Sequence, residues 1–159
     1  MGYYMLDSCK LQSKLNLNKL DTLSFIIAGV CHDLGHDGFT NSYHVNAYTS
    51  RAIDSNDISV QETFHAAEMF RILNKEEFYF LEDISKDEYK LFRKKCINLI
   101  LATDMAKHAA DLKAFNAICT EYDIHDGQNL DKLFENKESI DTEKNTILTL
   151  AIHAADVSA

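Results

Sequence analysis

The sequence predicts an all-α fold, a single compact multi-helix bundle over residues 1–159, and three observations carry that reading. Proline is absent and only five glycines occur, whereas β-rich folds draw heavily on such turn residues. Apolar side chains recur at three- and four-residue spacing along most of the chain, the period of a helix with one buried face. Ser-x-x-Glu patterns at Ser59–Glu62 and Ser85–Glu88 have the form of capping boxes, in which side chains satisfy the free N–H groups of a first helical turn. No internal repeat, low-complexity tract or linker interrupts the chain, and no strand is predicted.

Each element follows in order. Tyr3, Tyr4 and Leu6 read as core anchors of a first segment without a clear start signal. Asp21 or Thr22 caps a helix running to about Leu34, whose apolar run Leu23–Cys31 reads as buried. Gly35 and Gly38 break that helix into a turn. Residues 41–54 form one or two short helices with Tyr43, Val45 and Ala47 inward. Ser59 opens a helix of residues 60–74. Ser85 opens a long helical stretch through Phe92, Cys96, Ile100 and on to Ile118, bent near Thr103-Asp104. Residues 122–140 are polar, with a loop at Gly127, and Thr142–Val157 closes the chain with Ile147, Leu148, Leu150 and Ile152 on one apolar face.

Composition narrows the function. Apolar residues are 46% and charged residues 26%, ordinary for a globular domain. A net charge of −9 argues against nucleic-acid binding, which needs basic surface. No apolar run reaches membrane-spanning length. The N-terminus has neither the basic start of a signal peptide nor the Ser/Thr of a myristoylation signal. Cys9, Cys31, Cys96 and Cys119 are widely spaced, without Cys-x-x-Cys and without an Asn-x-Ser/Thr sequon. They read as reduced, mostly buried thiols of an intracellular, cytoplasmic protein.

The chemistry-bearing residues fall at helical spacings. His32/His36, Glu62/His65, Asp104/His108 and His153/Asp156 lie three or four apart, so each pair shares a helix face. Singly, Glu62–His65 and Asp104–His108 are explained by a capping box and a surface ion pair. His32-Asp33 is harder to explain that way, because ionisable groups at the end of an apolar helix need a specific partner. Four such pairs on different helices can converge in a bundle interior, where metal sites are built. Imidazole and carboxylate suit zinc, and carboxylate and water suit magnesium or manganese.

The blocks resemble a known family. His32-Asp33-x-x-His36-x-x-x-x-Asn41 is similar to the metal signature of class I 3′,5′-cyclic nucleotide phosphodiesterases, members of the wider HD-domain phosphohydrolases. Val60–Ala67 resembles their Glu-x-x-His segment. Leu101-Ala102-Thr103-Asp104-Met105-Ala106-Lys107-His108 resembles their Ala-Thr-Asp-Met-Ser-Lys-His motif. His153-Ala154-Ala155-Asp156-Val157-Ser158 resembles their His-Cys-Ala-Asp-Leu-Ser motif, and the four come in family order. The resemblance implies an HD-domain, phosphodiesterase-like helical bundle that uses two metals and a bridging hydroxide to open cyclic AMP or cyclic GMP to the 5′-nucleotide in signal transduction. By that resemblance His32, Asp33 and Asp156 would bind the first metal, zinc, with Asp33 bridging to the second, magnesium or manganese. His36, Glu62, His65, Thr103 and Asp104 would hold the second metal's waters. Asp33, Asn41 and Asp156 would face the substrate, with Asn41 lining the nucleotide pocket or bracing the metal loop. Dimerisation would belong to the full-length protein.

Departures from the pattern carry expectations too. The family's upstream Tyr-His-Asn-x-x-His block, with the proton-donor histidine and another metal histidine, does not precede His32. The purine-binding glutamine and aromatic clamp do not follow Asp156. The chain therefore reads as a fragment lacking both ends and poorly active alone. Asp37 stands where the family usually has proline. Competing readings are another HD-domain phosphohydrolase, a di-iron carboxylate protein, a zincin protease and a helical binding module without turnover. The di-iron reading needs two Glu-x-x-His motifs and finds one. The zincin reading fails because Asp33 stands where a general-base Glu is needed.

Overall fold

In the computed structural model, which describes residues 2–78, 80–125, 129, 132–133 and 140–158, every regular element among the described residues is helical. Gly127 and the side chain of Tyr3 lie outside the described residues. The order is α1 (Gly2–Asp7), α2 (Leu11–Lys14), α3 (Lys19–Cys31), α4 (Asn41–Asn46), α5 (Ser50–Asp54) and α6 (Val60–Leu73). A 3₁₀ turn at Glu76–Phe78 leads to α7 (Lys86–Leu101), a second at Met105–Lys107 to α8 (His108–Glu121), and α9 (Ile140–Val157) comes last.

α7 is the central member. α3 packs along one side of it and α6 along another, while α8 pairs with α9, which also meets α1, α3 and α7. The apolar centre joins Phe25 and Ala28 of α3, Met69 and Phe70 of α6, Phe92, Cys96 and Ile100 of α7, and Leu148 and Ile152 of α9. Burying a side chain of this size contributes roughly 1.5–3 kcal/mol. One ion pair lies inside this packing, Lys95 Nζ to Asp21 Oδ1 at 2.8 Å, with both side chains largely buried. Burial pushes the Cys96 thiol up to about 12, so Cys96 behaves as a small apolar residue. Of the other cysteines, Cys31 and Cys119 are half-buried and Cys9 is exposed, so the expected burial of the thiols holds in full only for Cys96. Among the described residues no helix is long and apolar enough to cross a membrane.

Several local expectations are corrected. α3 starts two residues earlier than Asp21. Its cap is Asn18, whose side chain accepts from the Asp21 N–H, while Asp21 accepts from the Asn18 N–H in a complete capping box. α3 ends at Cys31, and Asp33 and Leu34 sit in the turn beyond it. The run Leu23–Cys31 is buried on one face only: Ile26 is 42% and Val30 76% exposed. Tyr4 and Tyr43 are exposed as well, and so is Ala47, while Val45 is half-buried. The inward residue of α4 is His44, because it meets polar partners there, Thr49 and Asp37, while α5 turns Ala52 inward. Ser85 and Glu88 form the expected box, but Ser59 and Glu62 do not. The stretch from Lys86 to Ile118 is broken into two helices rather than bent. Asp104 is extended at the break, and its carboxylate accepts from the Ala106 N–H at 3.0 Å.

Candidate metal centre

Three segments bring the candidate ligands together. α3 delivers His32 as its C-terminal cap and Asp33 just after it. α6 delivers His65, which is buried. The last turns of α9 deliver Asp156. Among the described residues two groups of ligand atoms lie within 4.8 Å of one another: His32, Asp33 and Asp156, and Asp33, His36 and His65. Asp33 belongs to both. A cleft of about 600 Å³ opens beside the first group, walled by Phe25, Ile26, Val30 and Ile152.

The hydrogen bonds decide what each imidazole can do. His32 Nδ1 lies 2.8 Å from the Gly29 carbonyl. A carbonyl only accepts, so Nδ1 carries the proton and the neutral ring has its lone pair on Nε2. That Nε2 is 2.9 Å from Asp156 Oδ1 and 3.6 Å from Asp33 Oδ2. Lone-pair atoms that close repel unless a proton or a cation stands between them. The ligand-to-ligand edge of a tetrahedral zinc site is about 3.3 Å for bonds of roughly 2 Å, and the two distances bracket it. One imidazole and two carboxylates, with the imidazole oriented by a backbone carbonyl, is a donor set that fits a divalent metal.

The second group is held differently. His65 Nδ1 donates to the Leu34 carbonyl at 2.8 Å, leaving an Nε2 lone pair 3.9 Å from Asp33 Oδ1. Burial holds the His65 imidazole below its ordinary range, against the upward pull of the Leu34 carbonyl and the Asp33 charge. His36 Nδ1 accepts from the Gly38 N–H at 2.9 Å, so Nε2 carries the proton of the neutral ring. His36 is thus a donor toward the site, and its ring stacks on His65 with centroids 5.6 Å apart.

The remaining predicted residues stand around these groups. Asn41 spans two elements: its Oδ1 accepts from the Gln61 N–H at 2.8 Å and its Nδ2 donates to Glu62 Oε2 at 2.9 Å. It supplies the cap for α6 that Ser59 was expected to supply. Ser59 instead donates its hydroxyl to Asp104 Oδ2 at 2.7 Å, from a left-handed backbone (φ 45°). Burial raises the Glu62 carboxyl, opposed by the Asn41 hydrogen bond and reinforced by the Asp104 charge. Thr103 and Asp104 are buried at the α7–α8 corner, where Thr103 donates to the Ile100 carbonyl at 2.8 Å, and neither belongs to the two ligand groups. Within the described residues Asp104 makes no ion pair with His108, and His153 makes none with Asp156. His108 and His153 instead stack on each other, centroids 4.7 Å apart.

Sequence reasoning missed Arg51, Gln61 and His44. They converge on Asp37, a residue noted only as a departure in the loop. Gln61 Nε2 donates to Asp37 Oδ1 at 2.6 Å, His44 Nε2 lies 3.3 Å from the same oxygen, and Arg51 Nη1 is 3.1 Å from Oδ2. Burial pushes the Asp37 carboxyl up, but the bonds from Gln61, the Phe39 N–H and His44, with the Arg51 charge, hold it at about 2. The available signal was a potential donor or acceptor on each of three successive helices, His44 on α4, Arg51 on α5 and Gln61 on α6.

The fold is a helical domain that clusters carboxylates and imidazoles in two groups able to hold a cation, and the chain belongs to the 3′5′-cyclic nucleotide phosphodiesterase family, whose family model matches residues 1–159. It is 38% identical over 130 residues to the human high affinity cGMP-specific 3′,5′-cyclic phosphodiesterase 9A, covering 82% of this chain and 22% of that protein. It is 37% identical over 142 residues to the 3′,5′-cyclic-nucleotide phosphodiesterase regA of Dictyostelium discoideum, covering 89% of this chain and 16% of the relative. Among solved structures, the phosphodiesterase domain of the RhoPDE fusion protein from the choanoflagellate Salpingoeca rosetta superposes with a TM-score of 0.75 at 31% identity, covering 89% of this chain and 41% of that one. The chain thus spans about a fifth of the length of these curated relatives.

Proposed function

We propose that this chain carries the metal-binding part of a catalytic domain that hydrolyses 3′,5′-cyclic nucleotides to 5′-nucleotides. The observation that carries the reading is the meeting of His32 with Asp156, over 120 residues away in sequence, at hydrogen-bonding distance, with an Asp33 oxygen within 4.8 Å of both. Family membership supplies the reaction class. We assign His32 Nε2, Asp33 and Asp156 to zinc and the far side of Asp33 to magnesium or manganese. When bound, two such cations supply Lewis acidity to the phosphoryl oxygens and an attacking oxygen at neutral pH. The residues do the rest. His32 is kept in one tautomer by Gly29. His36 donates from Nε2 and His65 accepts at Nε2, a pair suited to orient one water through both its lone pair and its proton. Glu62, held by Asn41, and Asp104, held by Ser59, keep acceptors in reserve behind them. The nucleotide-selecting groups and the proton donor are assigned to other parts of the domain.

The test has two readouts. Zinc titration of the chain should show binding that Asp156→Ala weakens by at least about 100-fold, beyond what loss of a ligand's supporting partner costs. In a protein that carries the whole catalytic domain around this chain, hydrolysis should release 5′-nucleotide from cyclic GMP or cyclic AMP and be lost with Asp33→Asn. Preference for a non-cyclic phosphoester would transfer the reading to another HD-domain phosphohydrolase. Zinc binding indifferent to Asp156→Ala would leave a helical binding module.

A further inference from the structure

The loop from Asp33 to Thr40 carries most of the second ligand group, yet it has no regular structure between α3 and α4. Something must hold it. A proline stiffens a loop through its ring, and at position 37 this chain has aspartate instead. Asp37 is fixed by its surroundings. Oδ1 takes the Gln61 amide at 2.6 Å, the Phe39 N–H at 3.2 Å and His44 Nε2 at 3.3 Å, and Oδ2 takes Arg51 Nη1 at 3.1 Å. Arg51 does more than neutralise it. Nη1 donates to Gln61 Oε1 at 2.5 Å, Nη2 donates to the Gly35 carbonyl at 3.2 Å, and the guanidinium lies 3.6 Å from the centre of the Phe64 ring. Gln61 also donates to the Phe39 carbonyl at 2.8 Å.

The arrangement grips the loop on both sides of His36. Arg51 holds the carbonyl of Gly35, one residue before it. Asp37, one residue after it, is held by Gln61 and His44. Phe64, under the guanidinium, is the neighbour of His65, the ring on which His36 stacks. Gln61 and His44 are each 3% exposed, and buried polar groups of this kind are stable only when paired. Removing one partner therefore strands the others. Arg51, rather than a lysine, suits the position because a planar fork can serve a carboxylate, an amide oxygen and a carbonyl at once while stacking on a ring.

We propose that Asp37, Arg51 and Gln61 form a positioning bracket that sets His36 against His65, and so tunes the second cation group with little effect on the first, whose His32, Asp33 and Asp156 it does not touch. The metal part of this proposal rests on the functional reading above; the loop part does not. It predicts a split. Arg51→Leu should speed hydrogen exchange of the Gly38 and Phe39 amides by at least tenfold in metal-free protein. It should weaken manganese binding in zinc-loaded protein by about tenfold, while zinc affinity stays within twofold. Arg51→Lys, which restores a charge for Asp37 without the fork, should recover less than half of the exchange protection. Should Arg51→Leu fail to fold, Asp37→Asn reads the same bracket, since it keeps the shape and drops the charge. Unchanged amide exchange together with unchanged manganese affinity in these variants would overturn the proposal. An equal loss of zinc and manganese affinity would also overturn it, because the residues would then be supporting the fold as a whole. If the wild-type chain binds no manganese, the functional reading of the second group fails, and amide exchange alone decides whether the bracket holds the loop.

Discussion

The two regions that meet at Asp33 and Asp156 are held by different physics. In the front region, the loop from His32 to Asn41 with α4, α5 and the start of α6, every imidazole is tied to a named partner: His32 to Gly29, His36 to Gly38, His44 to Thr49 and Asp37, His65 to Leu34. In the rear region, where α8 meets α9, His108 Nδ1 and both ring nitrogens of His153 are buried without a hydrogen-bond partner among the described residues. Those rings face each other and are held by packing. The contrast is informative because both regions use the same residue type. The front fixes tautomers, which a site that must present lone pairs and donors in set directions requires. The rear fixes only shape.

The sharpest way to break the comparison is to remove a front imidazole. His65→Leu keeps an apolar side chain of similar bulk but strands the Leu34 carbonyl, which otherwise accepts from Nδ1 at 2.8 Å. Leaving such a group unpaired costs about 2 kcal/mol. For a chain of this length that is a fall of roughly 4–8 °C in Tm, measurable by scanning calorimetry without metal. A Tm within 1 °C of wild type would mean that the front hydrogen bonds do not hold the loop.

Acid should dismantle the front first. The hydrogen bonds to Asp37 and the Arg51 charge hold its carboxyl at about 2 in the folded chain, below its ordinary 3.8. A lowered carboxyl contributes stability that is fully present above about pH 4 and is lost as pH falls toward 2, because the unfolded chain takes up the proton first. His65, also lowered, from 6.5, acts with the same sign at higher pH: below that value the unfolded chain binds a proton that the folded chain resists. The contributions of His65 and Asp37 should therefore be lost in two stages on acidification. Glu62 opposes them, since its raised carboxyl favours the folded chain as it takes up a proton. Asp37→Asn should flatten the lower stage. A lower stage that survives Asp37→Asn unchanged would assign it to other carboxylates.

How much of this could be read from the residues depends on how far each interaction reaches. Ser85 and Glu88 close a cap within one turn, and that cap was legible. Ser59 and Glu62 show the same letters, but Ser59 is engaged by Asp104, 45 residues on, and Asn41 caps α6 in its place. No local pattern encodes such a substitution. Asp21 was recognisable as a helix-start residue, though its role as third residue of the box depended on noticing Asn18. The apolar run Leu23–Cys31 shows that composition reveals what can be buried, not which face finds a partner: Val30 is 76% exposed. The cluster of candidate ligands was legible because the blocks carrying His32, Asp33 and Asp156 resemble a family in letters and order, and the fold brings those three residues together. The bracket of Asp37, Arg51 and Gln61 was not, because its members are ordinary polar residues whose meaning lies in their meeting.

The smallest effect tests the rear region, and its sign matters more than its size. His153 is 3% exposed, and a polar group left unpaired in such a place costs about 1–3 kcal/mol. Replacing it by leucine removes that cost and forfeits the stack on His108, worth about 0.5–1.5 kcal/mol. The two nearly cancel, with the balance on the side of the variant. His153→Leu should therefore leave Tm unchanged or raise it by about 1–3 °C, whereas the same substitution at His65 lowers it. Because His153 lies one turn before Asp156 on α9, zinc affinity should also stay within about threefold if packing alone sets the helix. A fall in Tm matching that of His65→Leu would show that the rear rings share a buried water. The two regions would then be held by the same means, and the distinction between a site that fixes direction and one that fixes shape would go with it.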